Sequence, residues 1–168
     1  MVYFVLTILS AVIFTAYVTV SIRLGGILPS LSESYYLFEQ RKKCRGMVFY
    51  SALILTIFTA IFPMCEIARG FGVLAGFALL LVGAAPTFKE HKTLERVLHV
   101  SGAFTAAATA VVILAKAGQL QVIPYVAALF LVIALASCSL KNCRVLWAEM
   151  VAVYALFAGM FIYFQPGV

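Results

Sequence analysis

The sequence predicts an all-α integral membrane protein, a single domain over residues 1–168 built as a bundle of six transmembrane helices in three helical hairpins. Three observations lead to this prediction. Hydrophobic residues make up 65% of the chain and charged residues 11%, and the mean hydropathy of +1.11 lies outside the range of water-soluble domains. The apolar residues form continuous runs, which favours helices. Basic residues concentrate in alternate connections between these runs, as expected of a multi-pass protein.

Six apolar runs are the predicted spans, and five of them reach the length of roughly 20 helical residues that a bilayer core requires. The first run is expected to remain as a span rather than to be removed as a signal peptide, because no basic residue precedes it. The third run has only sixteen residues, so we expect it to lie deep in the bundle or to thin the bilayer locally. The predicted spans are Val2–Ile22, Met47–Ala68, Phe71–Pro86, Val100–Lys116, Val122–Leu140 and Val145–Gln165.

The basic residues predict the orientation of the chain. Ten of the twelve Lys and Arg residues lie in the first, third and fifth connections, and the other two connections hold one each, Arg69 and Lys116. Because basic residues stay on the cytoplasmic side of short loops, we expect loops 23–46, 87–99 and 141–144 to be cytoplasmic and both termini to lie outside a plasma (inner) membrane. Attraction to anionic lipid heads explains the net charge of +6, so the expected partner is the lipid bilayer and not nucleic acid.

Two cytoplasmic connections share the pattern G-x-x-P-[ST]-x-x-E, over residues 26–33 and 83–90. In each segment, glycine and proline end one helix, and the hydroxyl of Ser30 or Thr87 is expected to cap the next. The glutamate three positions later would complete a capping box. We therefore expect a helix to begin directly after each of these two residues. A true internal repeat and two independent solutions of the same capping problem both explain the pattern.

Small residues predict which helices approach closely. Gly72 and Gly76 form a G-x-x-x-G pair in the third run, and the fourth run is rich in glycine and alanine from Gly102 to Ala110. Such residues allow close helix contact in lipid, where the hydrophobic drive between helices is absent. The third and fourth spans are therefore the predicted tight centre of the bundle. Packing within one chain and packing between protomers of a homo-oligomer would both use these residues.

The candidate site lies at the cytoplasmic rim, where polar groups gather at the inner ends of the second, fourth and sixth spans. Glu149 lies within the last span, and ionisable groups inside a membrane usually face a cavity or a partner. A capping role would also explain Glu33, which lies three positions after Ser30. A helix that lies in the membrane interface would explain Glu95 and His99, which precede the fourth span. The tentative ligand-binding residues are Glu33, Tyr36, Glu95, His99 and Glu149.

No metal, other cofactor or catalytic residue is predicted. His91, Glu95 and His99 share one helical stripe, but the two histidines stand roughly 12 Å apart along the axis at 1.5 Å per residue. They cannot both reach one zinc ion at about 2 Å from a straight helix. A pair of histidines that responds to pH is the alternative interpretation.

Two resemblances bear on function. The stretch at residues 32–36 and His99 resemble the layout of helical hydrolases that include the alkaline ceramidases, which combine several histidines with an aspartate and a serine around zinc. This chain has only two histidines and no aspartate, so that resemblance supplies no catalytic residue. The same stretch, the segment at residues 83–86 and His99 are also similar to uncharacterised small polytopic membrane proteins of bacteria and their phages. That resemblance implies no known activity.

We expect from these observations a small integral membrane protein that passes or binds a small solute, as a homo-oligomer. Two other classes stay open at this stage. One is a membrane-embedded hydrolase with its site at the cytoplasmic rim, and the other is a non-catalytic partner or scaffold of another membrane protein.

Overall fold

The computed structural model describes residues 1–40, 47–84, 93–137 and 143–166, and this part of the chain is helical with no strand. Seven α-helices and one 3-10 helix, Leu31–Glu33, are found there. The α-helices are α1 (Val2–Gly25), α2 (Ser34–Gln40), α3 (Met47–Ala68), α4 (Gly70–Ala84), α5 (Thr93–Lys116), α6 (Val122–Ala136) and α7 (Arg144–Phe164). The all-α prediction is therefore confirmed.

Four of the described helices, α1, α3, α5 and α7, are long and apolar enough to cross a membrane. The other two apolar helices, α4 and α6, have 15 residues each, which is about 22 Å at 1.5 Å per residue. That length is shorter than the roughly 30 Å of a bilayer core. Residues 85–86 and 138–140, which belong to the predicted third and fifth spans, lie outside the described residues.

Neighbouring helices in the bundle run antiparallel where α1 meets α7 and α3. Tyr3 at the start of α1 packs on Phe164 at the end of α7, with ring centroids 5.4 Å apart. The Tyr17 ring near the end of α1 packs on Phe49 near the start of α3, with centroids 6.4 Å apart. Between these points, Ser10 donates a hydrogen bond of 2.7 Å to Thr59 in the middle of α3. The first helix is thus held along its length between the second and last long helices.

The described arginines and lysines separate between the two ends of the bundle. One end, called here the basic end, is where α1 finishes and α3 and α7 start. Helix α5 runs parallel to α7, because Leu114 late in α5 lies against Gly159 late in α7. The start of α5 therefore lies at the basic end as well. This end carries Arg23, Arg96 and Arg144, and the opposite end carries Arg69 and Lys116.

The closest helix pair is α4 with α5, as the small residues of these two segments predicted. A Cβ atom on Gly102 would stand only 2.8 Å from the carbonyl oxygen of Ala78, so the two backbones touch at this point. Gly72 serves a different neighbour: a Cβ there would lie 2.5 Å from the main-chain nitrogen of Cys65 in α3. Arg69, with a φ of 35°, is the single residue that reverses the chain between α3 and α4.

Of the two alternatives for the third predicted span, a place deep in the bundle does not agree with the structure, and local thinning of the bilayer stays a prediction. Helix α4 packs between α3 and α5, and its remaining face is exposed. The buried core is formed instead mainly by α1, α3, α6 and α7, because their large apolar side chains interlock while α4 contributes small ones. The side chains on the exposed face of α4 are Phe71, Val73, Leu74, Phe77 and Leu80. The largest core residues are Phe14, Met64, Ile113, Phe130, Leu146, Trp147, Met150, Phe157 and Met160.

Replacing Gly102 by Ala is expected to lower the free energy of unfolding in mixed micelles by about 1–2 kcal/mol. The added methyl group meets a main-chain oxygen that cannot move without shifting α4, and overpacking of this kind outweighs the gain in helix propensity. Gly70→Ala is the matched control, because nothing lies within 4 Å of the position of its Cβ. A Gly102→Ala protein as stable as the wild type would contradict the close contact of α4 and α5.

Candidate functional site

The segment that follows α1 folds into a short 3-10 helix at the basic end. Its start directly after Ser30 agrees with the sequence-based expectation, but the predicted capping box is wrong. Ser30 has an extended backbone, with φ −152° and ψ 163°, and its hydroxyl makes no capping hydrogen bond. The amide of Glu33 donates instead to the main-chain oxygen of Ser30 at 3.3 Å. The second predicted box, at Thr87, lies outside the described residues.

The cap of this 3-10 helix comes from α7, far away in the sequence. The amide of Leu31 donates a hydrogen bond of 2.7 Å to Oε2 of Glu149. A second hydrogen bond has its donor in α7: the amide of Leu146, in the first turn of that helix, donates to the main-chain oxygen of Pro29 at 3.0 Å. Each segment therefore satisfies a main-chain group at the end of the other. These four residues, Pro29, Leu31, Leu146 and Glu149, are called here the α7 clasp.

A group of buried hydroxyls lies beside the α7 clasp. Ser34 is fully buried, and its hydroxyl donates to the main-chain oxygen of Leu31 at 2.5 Å. The hydroxyl of Tyr17 is hydrogen-bonded to Ser34 Oγ; since the single proton of Ser34 is already used, Tyr17 is the donor. Ser21, one turn further along α1, is also buried and donates to the main-chain oxygen of Tyr17. Hydrogen bonds thus connect α1 to the 3-10 helix, and the 3-10 helix to α7.

The structure places two of the predicted site residues near each other. Glu33 belongs to the 3-10 helix that Glu149 caps, two residues after the Leu31 amide that donates to Glu149. Glu149 is half-buried, and among the described residues the only hydrogen bond to its side chain is the one from Leu31. Tyr36 packs edge-on against Tyr35, with ring centroids 5.5 Å apart.

The other two predicted site residues belong to α5. His99 is buried between α5 and α4, and its Nδ1 lies 3.2 Å from the main-chain oxygen of Val82. Because a carbonyl oxygen can only accept, Nδ1 carries the proton in this contact. Glu95 lies in the first turn of α5, four residues before His99. A single pocket shared by all five predicted residues stays a prediction.

Sequence reasoning missed the hydroxyls of α1. The side chains that α1 buries follow helical spacing and include three small polar residues: they are Thr7, Ser10, Phe14, Val18 and Ser21. A stripe of hydroxyl residues on one face of an otherwise apolar span is a sequence signal for a helix interface that contains hydrogen bonds. That stripe could have identified α1 as a partner of the candidate site.

Donors for a metal ion do not gather in the described part of the chain. No three His, Cys or Glu side chains lie close enough there to hold one. His91, which was considered as a ligand in the sequence, lies outside the described residues. What the basic end offers chemically is therefore a half-buried carboxylate beside hydroxyls and main-chain amides.

Towards the end opposite to the basic end, the described part of the bundle is closed by apolar side chains. Met64, Ile113, Leu114 and Met160 are each at most 1% exposed. Every fully buried polar side-chain atom in the described residues has a hydrogen-bond partner. The inside of the described bundle is thus packed like a protein core towards the end opposite to the basic end.

A second feature is a cleft of about 390 Å³ between α5, α6 and α7. It begins near the basic end and is lined by apolar residues, seven of which are alanines. The lining residues are Ala107, Ala110, Val111, Leu114, Ile123, Ala127, Phe130, Leu131, Ala134, Trp147, Ala148, Val151, Ala152 and Ala155.

Comparisons with protein-family models, with curated proteins and with solved structures give no match for this chain. The resemblance to small polytopic membrane proteins of bacteria and their phages therefore stays a prediction.

Proposed function

We propose that this chain is a multi-pass protein of a bacterial inner membrane, with six spans and with the basic end in the cytoplasm. Four long apolar helices and a surface rich in exposed large apolar side chains support a position in lipid. Three of the five described basic residues lie at the basic end, and the sequence places ten of the twelve Lys and Arg residues in the connections assigned to that end, as the positive-inside rule expects. In this orientation both termini lie outside, and loops 23–46, 87–99 and 141–144 are cytoplasmic.

The two short helices also cross the membrane in this proposal. Helix α3 ends at the end of the bundle opposite to the basic end, and α5 starts at the basic end. Helix α4 is the described helix between α3 and α5, so it connects the opposite end of the bundle to the basic end. Helix α6 connects α5 to α7 in the same way. Local thinning of the bilayer accommodates their length of about 22 Å, at a cost of fractions of a kcal/mol per ångström of mismatch.

Single cysteines at Arg96 and Lys116 test this orientation, because both side chains are exposed and they stand at opposite ends of α5. Native Cys143 is a poor reporter, since it is only 5% exposed. In a background with the four native cysteines replaced by alanine, an impermeant maleimide should label Lys116→Cys in intact cells. Arg96→Cys should be labelled only after the inner face is opened. Labelling of Arg96→Cys from outside would reverse the orientation.

We further propose that the protein binds a small solute at Glu149, and that a single protomer does not conduct it. Glu149 is the observation that carries this proposal. It lies about 7–8 Å into α7 at 1.5 Å per residue, a depth at which a carboxylate is costly unless it has a use or a partner. The apolar packing of Met64, Ile113, Leu114 and Met160 towards the opposite end speaks against a path through one protomer. Passage would need a route between protomers, which the predicted homo-oligomer would have to supply.

The electrostatics of the site favour a solute with a positively charged amine. The carboxyl groups of Glu33 and Glu149 interact unfavourably when both are ionised, and an ammonium group near them removes that repulsion. Oε2 of Glu149 is used by the Leu31 amide, and its other oxygen is available to a charged donor. Such charge-assisted hydrogen bonds are roughly twice as strong as neutral ones.

Titration of hexylamine into the purified protein in nanodiscs tests this proposal, with hexanoate as the anion of similar size. We expect saturable binding of hexylamine alone, weakened about tenfold by Glu149→Gln, which corresponds to 1.4 kcal/mol. The glutamine keeps an acceptor for Leu31, so a loss of binding would report the charge and not the fold. Glu66→Gln is the control, since this exposed carboxylate lies at the opposite end beside Tyr3.

Equal affinity of hexylamine for the wild type and Glu149→Gln would refute the solute site. Flux of hexylamine into liposomes that depends on the protein would show passage, and the mass of the protein in detergent would then show whether an oligomer supplies the route.

A further inference from the structure

The apolar cleft exists because α5 and α6 both pack on α7 rather than on each other. Alanines on all three helices keep the space between them open: Ala107 and Ala110 on α5, Ala127 and Ala134 on α6, and Ala148, Ala152 and Ala155 on α7. The volume of about 390 Å³ lies within the range of sites that hold small molecules.

Water is a poor occupant of this cleft. A bound water molecule needs two to four polar partners, and all the residues that line the cleft are apolar apart from the indole N–H of Trp147. In a bilayer the cleft opens between spans towards hydrocarbon. An acyl chain is the occupant that matches the lining, because it loses no hydrogen bond when it enters and gains contact with the packed walls.

The positively charged side chain of Arg144 lies next to the cleft, on the side of the basic end. Arg144 is exposed and precedes Ala148, Val151 and Ala155 by four, seven and eleven residues, which is the spacing of one helix face. The guanidinium is therefore in register with the α7 wall of the cleft, one turn beyond it. Trp147 lines the same end, at the level where tryptophans meet lipid headgroups.

We propose that this cleft binds one anionic phospholipid from the leaflet at the basic end. One acyl chain lies between α5, α6 and α7, and the headgroup phosphate is bound by Arg144. A guanidinium suits this role because its planar donors match phosphate oxygens in pairs. The proposal rests on the membrane position given under the proposed function. It makes no use of Glu149 or of the amine site.

Trp147 provides a direct test, because it is the only tryptophan of the chain. Its side chain is 9% exposed, so lipids elsewhere around the bundle reach it poorly. Bromine atoms on an acyl chain quench tryptophan fluorescence on contact. In nanodiscs we expect brominated phosphatidylglycerol to quench Trp147 at least about twofold more than brominated phosphatidylcholine at the same mole fraction.

Two variants separate the acyl chain from the headgroup. Ala127→Leu fills the cleft and should remove most of the quenching by either lipid, whereas Ala128→Leu, at the exposed neighbouring position that does not line the cleft, should leave it unchanged. Arg144→Gln should make the two lipids quench equally. Addition of inorganic phosphate should leave the preference for phosphatidylglycerol in place, because the site takes the phosphate as part of the lipid.

Quenching by brominated lipid that is the same in the wild type and Ala127→Leu would overturn the acyl-chain site. A preference for phosphatidylglycerol that survives in Arg144→Gln would overturn the role of Arg144, and displacement of the lipid by inorganic phosphate would assign the charge site to a free anion. Binding of hexylamine in the same samples reports the solute site separately, so failure of one proposal is distinguishable from failure of the other.

Discussion

The pair of reciprocal hydrogen bonds in the α7 clasp is the constraint on which the arrangement of the basic end depends. Residues 118 positions apart in the sequence are joined when Glu149 accepts from the amide of Leu31, and Leu146 donates to Pro29 close by. In lipid the hydrophobic effect does not draw helices together, so specific hydrogen bonds and close packing decide which helices pair. The clasp fixes the segment that follows the first long helix against the start of the last one at the basic end.

The same carboxylate serves structure and the proposed function. One oxygen of Glu149 accepts from a main-chain donor that the 3-10 helix would otherwise leave without a partner, and the other is the oxygen that we propose for a solute. The hydroxyls of Tyr17 and Ser34 extend the connection to α1, so Leu31, whose amide binds the carboxylate, is also held by α1. The lipid cleft lies on another part of the bundle, beside α6. The two proposed sites thus share α7 but use different residues of it.

Continuous apolar runs made the helical class and most helix boundaries predictable, because the apolar character of a run belongs to that segment alone. The start of α5 is the exception, since the helix begins at Thr93 and the predicted span began at Val100. The close contact of α4 and α5 was also visible, since glycine and alanine mark it directly. Of the two alternatives for α4, the deep position does not agree with its exposed face, because burial depends on which faces the neighbouring helices offer. The capping box failed for a related reason: Ser30 stands at the expected position, but Glu149 provides a charged acceptor that no local pattern reveals.

Hydrogen exchange of the main-chain amides at residues 27–37 tests the α7 clasp most directly. A hydrogen bond to a charged group contributes about 1.5–3 kcal/mol, so Glu149→Ala should speed exchange of the Leu31 amide by roughly tenfold or more. Glu149→Gln keeps an acceptor at the same place and should retain most of the protection. Exchange at Leu31 that is as slow in Glu149→Ala as in the wild type would contradict the account, because the 3-10 helix would then be held without α7.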